Sequence, residues 1–549
     1  MNVTNPITHA NKAALVANPD WWRGAVIYQI YPRSYQDSNG DGIGDLRGIT
    51  ERLPHIASLG VDAIWISPFF TSPMLDFGYD VSDYCDIDPI FGTLADFDEM
   101  IERAHELGLR IMIDLVLSHT SDQHDWFKES RSSRDNPKSD WYVWADPNPD
   151  GTPPNNWLSI FGGPAWEWDA QRMQYYMHNF LREQPDLNFH CPDVQDALLD
   201  VTRFWLDRGV DGFRLDTVNF YVHDQELRNN PPVTAHESTI APQVNPYTWQ
   251  EHEFSKSRPE NVAFIEKFRA VMDEYQDIAA VGEVGDDQKG IQIQAEYTAG
   301  TNRLQMCYGF EFLSQPFPTG ERISKVMTDF MEGAAESWAC WAFSNHDVIR
   351  HTSRWDLSPE AQQLYLAVIL SLRGSVCLYQ GEELGLGEAD VAFEDLQDPY
   401  GIRFWPKFKG RDGARTPMPW ESNSTNAGFS NAKPWLPVSQ DHVAKSVNGQ
   451  ASEPSSMLAF YRQMISYRQK QPALVKGTFD IISASETHIA VTREHEGQKM
   501  LVVFNLSDEA QAIELPDGTW TVDTSAPFTA EIAGNSAKLG PWQALFAAG

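Results

Sequence analysis

Positive charge is what this chain most lacks. Its 549 residues carry 42 Lys and Arg against 77 Asp and Glu, a formal net charge of −35. Phosphate backbones and anionic headgroups need a positive face, so neither nucleic acid nor a membrane surface is an expected partner. The surplus of acid reads as solubility, or as tuning to a salty cytoplasm. Cysteine is scarce as well. The five, Cys85, Cys191, Cys307, Cys340 and Cys377, are odd in number and include no C-x-x-C pair. That argues against a disulfide framework and a cysteine-built zinc site. No apolar run approaches the ~18 residues of a membrane span. The opening MNVTNPITHANKAALVANPD has neither a basic stretch nor an apolar core, so no signal peptide is expected. Internal repeats and low-complexity tracts are missing too. These absences leave the expectation of a soluble cytoplasmic protein, a monomer or homodimer.

Apolar residues, by contrast, make up 42% and aromatics 12%, as a well-packed globular chain requires. The length is too great for one small core, so two or three domains are expected. The 19 Trp and 18 Tyr suit a protein that stacks on sugars or other flat faces.

One stretch organises the rest: DGFRLDTVNF, Asp211 to Phe220. Its apolar alternation ends in charge, as suits a buried strand with a functional carboxylate at its C-terminal end. Two residues apart on a strand, Arg214 and Asp216 face the same way. A guanidinium beside a carboxylate favours the ionised form, so Asp216 is expected to stay charged and able to attack. Taken alone, such a pair is more often structural than catalytic.

Further strands fall at Ala25 to Tyr31, Val61 to Pro68, Leu109 to Leu117, Ile278 to Val284, Cys307 to Phe312, Trp338 to Phe343 and Ser375 to Tyr379. Helical periods separate most of them. Eight strands alternating with helices predict a closed (β/α)8 TIM barrel. Residues 121–184, rich in Trp, Asn, Pro and Asp, have no clear period and read as an inserted domain after the third strand. The segment from Tyr221 to Glu260 reads as a lid. From about Gly477 short alternating runs between turns predict an antiparallel β-sandwich. The expected domains are therefore a barrel over 1–120 and 185–476, an insert over 121–184, and a C-terminal domain over 477–549.

Several strand ends carry chemistry. Glu283 closes the fifth strand with no basic neighbour in sequence. His119 follows the third, and His346 with Asp347 follows the seventh. Asp76, Tyr79, Asp80 and Asp83 crowd the loop after the second. After the first strand, Asp37, Asn39, Asp41 and Asp45 sit at alternate positions through Gly-rich turns, with the Ile43 carbonyl between the last two. Such hard oxygen donors suit Ca²⁺ or Mg²⁺, although Gly48 stands where an EF-hand has its bidentate Glu. A turn whose Asp and Asn side chains bond their own backbone explains the same residues.

The motifs DLVLSHTS (Asp114 to Ser121), GFRLDTV (Gly212 to Val218), GEVG (Gly282 to Gly285) and FSNHD (Phe343 to Asp347), in that order, resemble the α-amylase superfamily, glycoside hydrolase family 13. QPDLNF (Gln184 to Phe189) and the opening WWRGAVIYQIYPRSYQDSNGDGIGDLRGI place the likeness in its α-glucosidase and oligo-1,6-glucosidase branch. The resemblance implies that Asp216 is the nucleophile, Glu283 the general acid/base and Asp347 a third carboxylate gripping sugar hydroxyls. It implies a glucose pocket lined by Asp76, Tyr79, His119, Arg214, His346 and Arg415, the last in GRDGARTPM, with Phe161 and Phe180 beside it. Thr217, next to the nucleophile, accompanies α-1,4 activity in similar chains. The resemblance also implies that the Asp37 to Asp45 loop holds a divalent ion; no organic cofactor is expected.

On this reading a retaining, exo-acting α-glucosidase acts on maltose-like α-glucosides through a glucosyl ester, with transglucosylation. Glu283, with no cation beside it in sequence, is expected to be partly buried, so that its pKa rises enough to keep a proton for the leaving oxygen. An oligo-1,6-glucosidase, a glucosyltransferase or a sucrose isomerase would use the same residues. A non-catalytic transporter subunit would lack the carboxylates and carry an anchor.

Overall fold

The computed structural model describes residues 15–234, 240–314, 316–333 and 336–549. Most of the polar N-terminal arm, and residues 235–239 of the segment read as a lid, lie outside them. Eight parallel strands form the central sheet: β1 (Val26–Ile30), β2 (Ala63–Ile66), β3 (Arg110–Leu115), β4 (Gly212–Leu215), β5 (Ala279–Val284), β6 (Met306–Gly309), β7 (Cys340–Ala342) and β8 (Ser375–Tyr379). Their order is β6-β5-β4-β3-β2-β1-β8-β7, and a parallel bridge between Cys307 and Ala339 joins the two edges. The sheet thus closes into a barrel. Most barrel-strand residues are buried on both faces, which is why these strands read as apolar runs rather than alternations.

Except for β8, the observed strands are shorter than their apolar runs, because ladder bonds stop where the chain turns out of the barrel. The first helix, Leu46–Leu59, has its start set by the Asp45 side chain, which accepts the Gly48 N–H as an N-cap. The insert is more regular than its sequence suggests. It holds a helix, Asp125–Ser132, and a three-stranded sheet of Trp144–Ala145, Gln174–Met177 and Trp166–Asp169. Strands this short give no readable period. Part of the loop after β2 is also paired, Phe70–Thr71 with Asp83–Ile87.

At the C-terminus a five-stranded and a three-stranded antiparallel sheet face each other. Leu501, Val503, Leu545 and Ala547 pack toward Ile513, Ala537 and Leu539 of the smaller sheet. Met500, Val502 and Phe504, on the opposite face of the same strand, join the main core. Both faces of that strand are covered, so the polar half of the alternation never appears. Among the described residues no helix is long and apolar enough to cross a membrane.

Candidate active site

Strand register assembles the site. Asp114 of β3 pairs with Arg214 of β4, and Gly282 of β5 with Leu215. One step on, Glu283 comes beside Asp216, and it pairs on its other side with Tyr308 of β6. Adjacent strands lie about 4.8 Å apart, so two carboxyls from different motifs become neighbours at the barrel mouth.

Arg214 is fully buried and holds the group together. Its Nη1 donates to Asp216 at 2.6 Å and to both oxygens of Asp114 at 2.8 and 2.9 Å. Its Nη2 donates to Glu283 at 2.6 Å. This corrects two expectations. Glu283 does have a cation, brought from the next strand and invisible in its own sequence neighbourhood. Nor does Arg214 simply keep Asp216 charged. Burial pushes Asp216 up, Arg214 pulls it down, and Asp114 and Asp347 push it up again, to about 7. Burial likewise raises Glu283, against Arg214, to about 7. Asp114 is pushed up by burial to about 6. One guanidinium serves three buried acids, and burial outweighs it, so all three hold their protons to higher pH than an exposed carboxyl does.

Thr217 has φ 40° and ψ 49°, a left-handed conformation rare for a β-branched residue. That turn aims its N–H at Glu283, 3.1 Å away, and its hydroxyl at Asp216, 3.2 Å away. Tyr308 donates to the other Glu283 oxygen at 3.1 Å.

Asp347 contrasts with the pair. Burial would raise it, yet His346, Arg411 and Arg415 around it outweigh that and hold it below the ordinary carboxylate range. Arg411 and Arg415 donate to it at 3.1 and 2.9 Å. Arg411 also bonds Asp76 at 2.9 Å. Asp80 shapes the loop that presents Asp76, accepting the N–H groups of Leu75 and Asp76 and the Ser72 hydroxyl. Burial drops His119 to about 4 and leaves it neutral. Gln184 reaches both Asp76 and His119.

These groups floor a cavity of about 790 Å³. Asp76, Tyr79, His119, Phe161, Phe180, Asp216, Thr217, Glu283 and Asp347 line it. Arg214, His346 and Arg415 were expected in the lining and stand behind it instead. Their polar ends are spent on other walls: Arg214 on the carboxylates, Arg415 on Asp347 and the His346 carbonyl, His346 on Tyr79. Gln29 donates to His346 Nδ1 at 2.7 Å, which leaves the proton on Nε2 facing the Tyr79 oxygen. Sequence reasoning missed Arg411, four residues before Arg415 in the same motif, and Asp114, first residue of DLVLSHTS. It also missed the apolar upper wall of Phe220, Phe310, Leu313 and Tyr400. A tally of charged residues inside the quoted motifs flags the first two; the wall has no motif.

The loop from Asp37 to Asp45 lies apart from this cavity. Asp37 accepts the N–H groups of Asn39, Gly40 and Gly42 and the Ser430 hydroxyl. Asn39 accepts from Asp41, and Asp41 from Ile43. Among the described residues no three His, Cys, Asp or Glu side chains converge as a metal cluster. The donor set, all hard oxygen, fits Ca²⁺ or Mg²⁺ in kind, while its own N–H groups already order the loop.

The α-amylase catalytic-domain model matches residues 29–477, and the C-terminal domain model of the α-amylase SusG matches 489–545. A probable alpha-glucosidase of Rhizobium meliloti is 59% identical over 98% of this chain and 99% of its own. An oligo-1,6-glucosidase of Heyndrickxia coagulans is 37% identical, over 91% and 95%. The crystal structure of an alpha-glucosyl transfer enzyme superposes with a TM-score of 0.94 at 52% identity, over 96% of this chain and 99% of that one.

Proposed function

This chain belongs to the α-amylase family and is a glycoside hydrolase of the glucosidase kind; on that premise we propose that it is a retaining, exo-acting α-glucosidase that removes α-1,4-linked glucose from short substrates and also transfers it. One observation carries the reading: Asp216 and Glu283 bond the two arms of a single guanidinium. A retaining pair stands about 5 Å apart, with no room for a water between carboxyl and sugar. Asp216 attacks the anomeric carbon while Glu283 gives its proton to the leaving oxygen. Glu283 then takes a proton from water, or from a sugar hydroxyl, which opens the ester. Asp347, ionised between two arginines, and Asp76 hold hydroxyls of the terminal glucose on the cavity floor. The apolar wall of Phe220, Phe310, Leu313 and Tyr400 offers a face on which a second sugar can stack as acceptor. Five free cysteines suit a reducing compartment such as the cytoplasm.

Product analysis on maltose, isomaltose and sucrose, with the anomer of the released glucose followed by NMR, tests the whole reading. Release of β-glucose overturns retention. Faster cleavage of isomaltose makes the protein an oligo-1,6-glucosidase, and isomerised sucrose makes it an isomerase.

For linkage, Thr217 is the proposed determinant. Its hydroxyl bonds Asp216 and lies 3.2 Å from the Ser118 hydroxyl, at the edge of the cavity. Thr217→Val keeps the volume and removes the polar partner. We expect kcat/KM for maltose over isomaltose to fall by roughly tenfold, within the 1–3 kcal/mol such contacts supply. A variant with an unchanged ratio removes Thr217 as the cause.

The Asp37 to Asp45 loop is proposed to bind a structural Ca²⁺ or Mg²⁺ through Asp37, Asn39, Asp41, Asp45 and the Ile43 carbonyl. An ion held by the folded form alone raises Tm with its concentration. A Tm that EDTA leaves unmoved, with no metal by elemental analysis, assigns the loop to its own hydrogen bonds.

A further inference from the structure

Behind the cavity wall lies a cation that the reaction does not use. Lys256 is only 3% exposed. Its ammonium donates to the Gly285 carbonyl at 2.7 Å and stands 4.9 Å from the Phe220 ring centre and 5.7 Å from that of Tyr247. Burial pulls this lysine below its ordinary value, with Asp286 and Asp287 opposing. A charge kept at such a cost has work to do where it sits.

Its neighbours tie the same place together. The Asn219 amide donates to the Gly285 carbonyl and the Ser257 hydroxyl, and accepts the Gly285 N–H. Ser257 gives its N–H to the Asn219 carbonyl at 2.6 Å and its hydroxyl to Asp286 at 2.8 Å. It does so at φ 54°, a strained value for serine. Further along, the Ile240 N–H reaches Asp287 at 3.3 Å. Residues 240–243, which line the cavity, and residues 256–257 are thus both fastened to the turn that follows β5.

We infer that Lys256 is a positioning residue for the leaving-group and acceptor side of the cavity. The inference rests on the roles given above to Asp216 and Glu283. Glu283 must meet the glycosidic oxygen. Gly285, two residues beyond it, and Phe220, four beyond Asp216, therefore flank the sugar that leaves or attacks. Lys256 grips both, one by a charge-assisted hydrogen bond and one by its ring face. The cavity floor is held by other bonds, those of Arg411, Arg415 and Gln184. Removing the charge should loosen one side of the cavity and leave the other in place.

Lys256→Met keeps the stem and removes the charge and donor. Three quantities are measured on the folded variant: KM for maltose, the ratio of transfer product to free glucose, and the Ki of a monosaccharide-sized iminosugar that occupies the floor alone. We expect KM and the product ratio each to change by about threefold or more, and Ki by less than about twofold. Wild-type KM and product ratio overturn the inference. So does a Ki that rises by the same factor as KM, which marks a general loosening of the fold. Should Lys256→Met fail to fold, the same comparison on Lys256→Gln, neutral but still a donor, decides it. A wild-type protein that turns over no α-glucoside places the failure in the proposed function instead.

Discussion

Asp216→Asn and Glu283→Gln each lower kcat on maltose by on the order of 10⁴-fold, the scale seen when a catalytic-triad aspartate becomes an amide. Each amide keeps the size of its acid and removes one role, the nucleophile in the first and the proton carrier in the second. The two are told apart by a substrate whose leaving group needs no proton, such as a dinitrophenyl α-glucoside. Glu283→Gln forms the ester with it and then stalls, since nothing activates water. Mass spectrometry of the quenched variant therefore shows a glucosyl residue on the peptide that contains Asp216. Asp216→Asn shows none. Near-normal kcat in either variant, or a label on another carboxylate, overturns the assignment.

The same pair sets the pH dependence. With both groups pushed up to about 7, the active form is the one with a proton on Glu283 and none on Asp216. At lower pH the nucleophile is protonated; at higher pH the acid is lost. kcat/KM should peak near neutrality and fall on both sides, with apparent limbs that belong to the pair.

Arg214→Met has the largest expected effect on stability. The guanidinium is fully buried and bonds Asp114, Asp216 and Glu283. Its removal strands buried carboxylates, a loss of about 3–5 kcal/mol at neutral pH. The sign of the pH dependence follows from proton uptake. These acids already titrate above their unfolded values, to about 6 for Asp114 and about 7 for the other two. At these three sites the folded state thus binds more protons than the unfolded one between pH ~4 and ~7, and their contribution to wild-type stability falls as pH rises through that window. Without Arg214 the folded values climb further, so the fall continues above pH 7. Denaturant unfolding at pH 5 and pH 8 should show the variant losing more between the two than the wild type does. An equal loss in both would mean that Arg214 does not govern these acids.

The sequence by itself determined a good deal. Buried parallel strands must be apolar, so β3, β5 and β8 stood out as LRIMIDLVL, IAAVGEV and SVCLY, the last with its observed limits. A carboxylate at the end of such a strand breaks the apolar run, which made Asp216 and Glu283 legible. Motif likeness added Asp76, Tyr79, His119 and Asp347, and the cavity gathers these side chains from three separate loops. Only the tertiary structure decided how they are charged. Local sequence gave Asp216 a cation and Glu283 none, whereas strand register gives both the same one and adds Asp114. Register is a property of two strands, and a single strand's sequence does not contain it. The same holds for Arg411, which bridges Asp76 and Asp347 across 335 and 64 residues of chain. Lys256 makes the point most plainly. Nothing in SKSR marks it, and its meaning comes wholly from the Gly285 carbonyl and the Phe220 ring that folding brings to its ammonium.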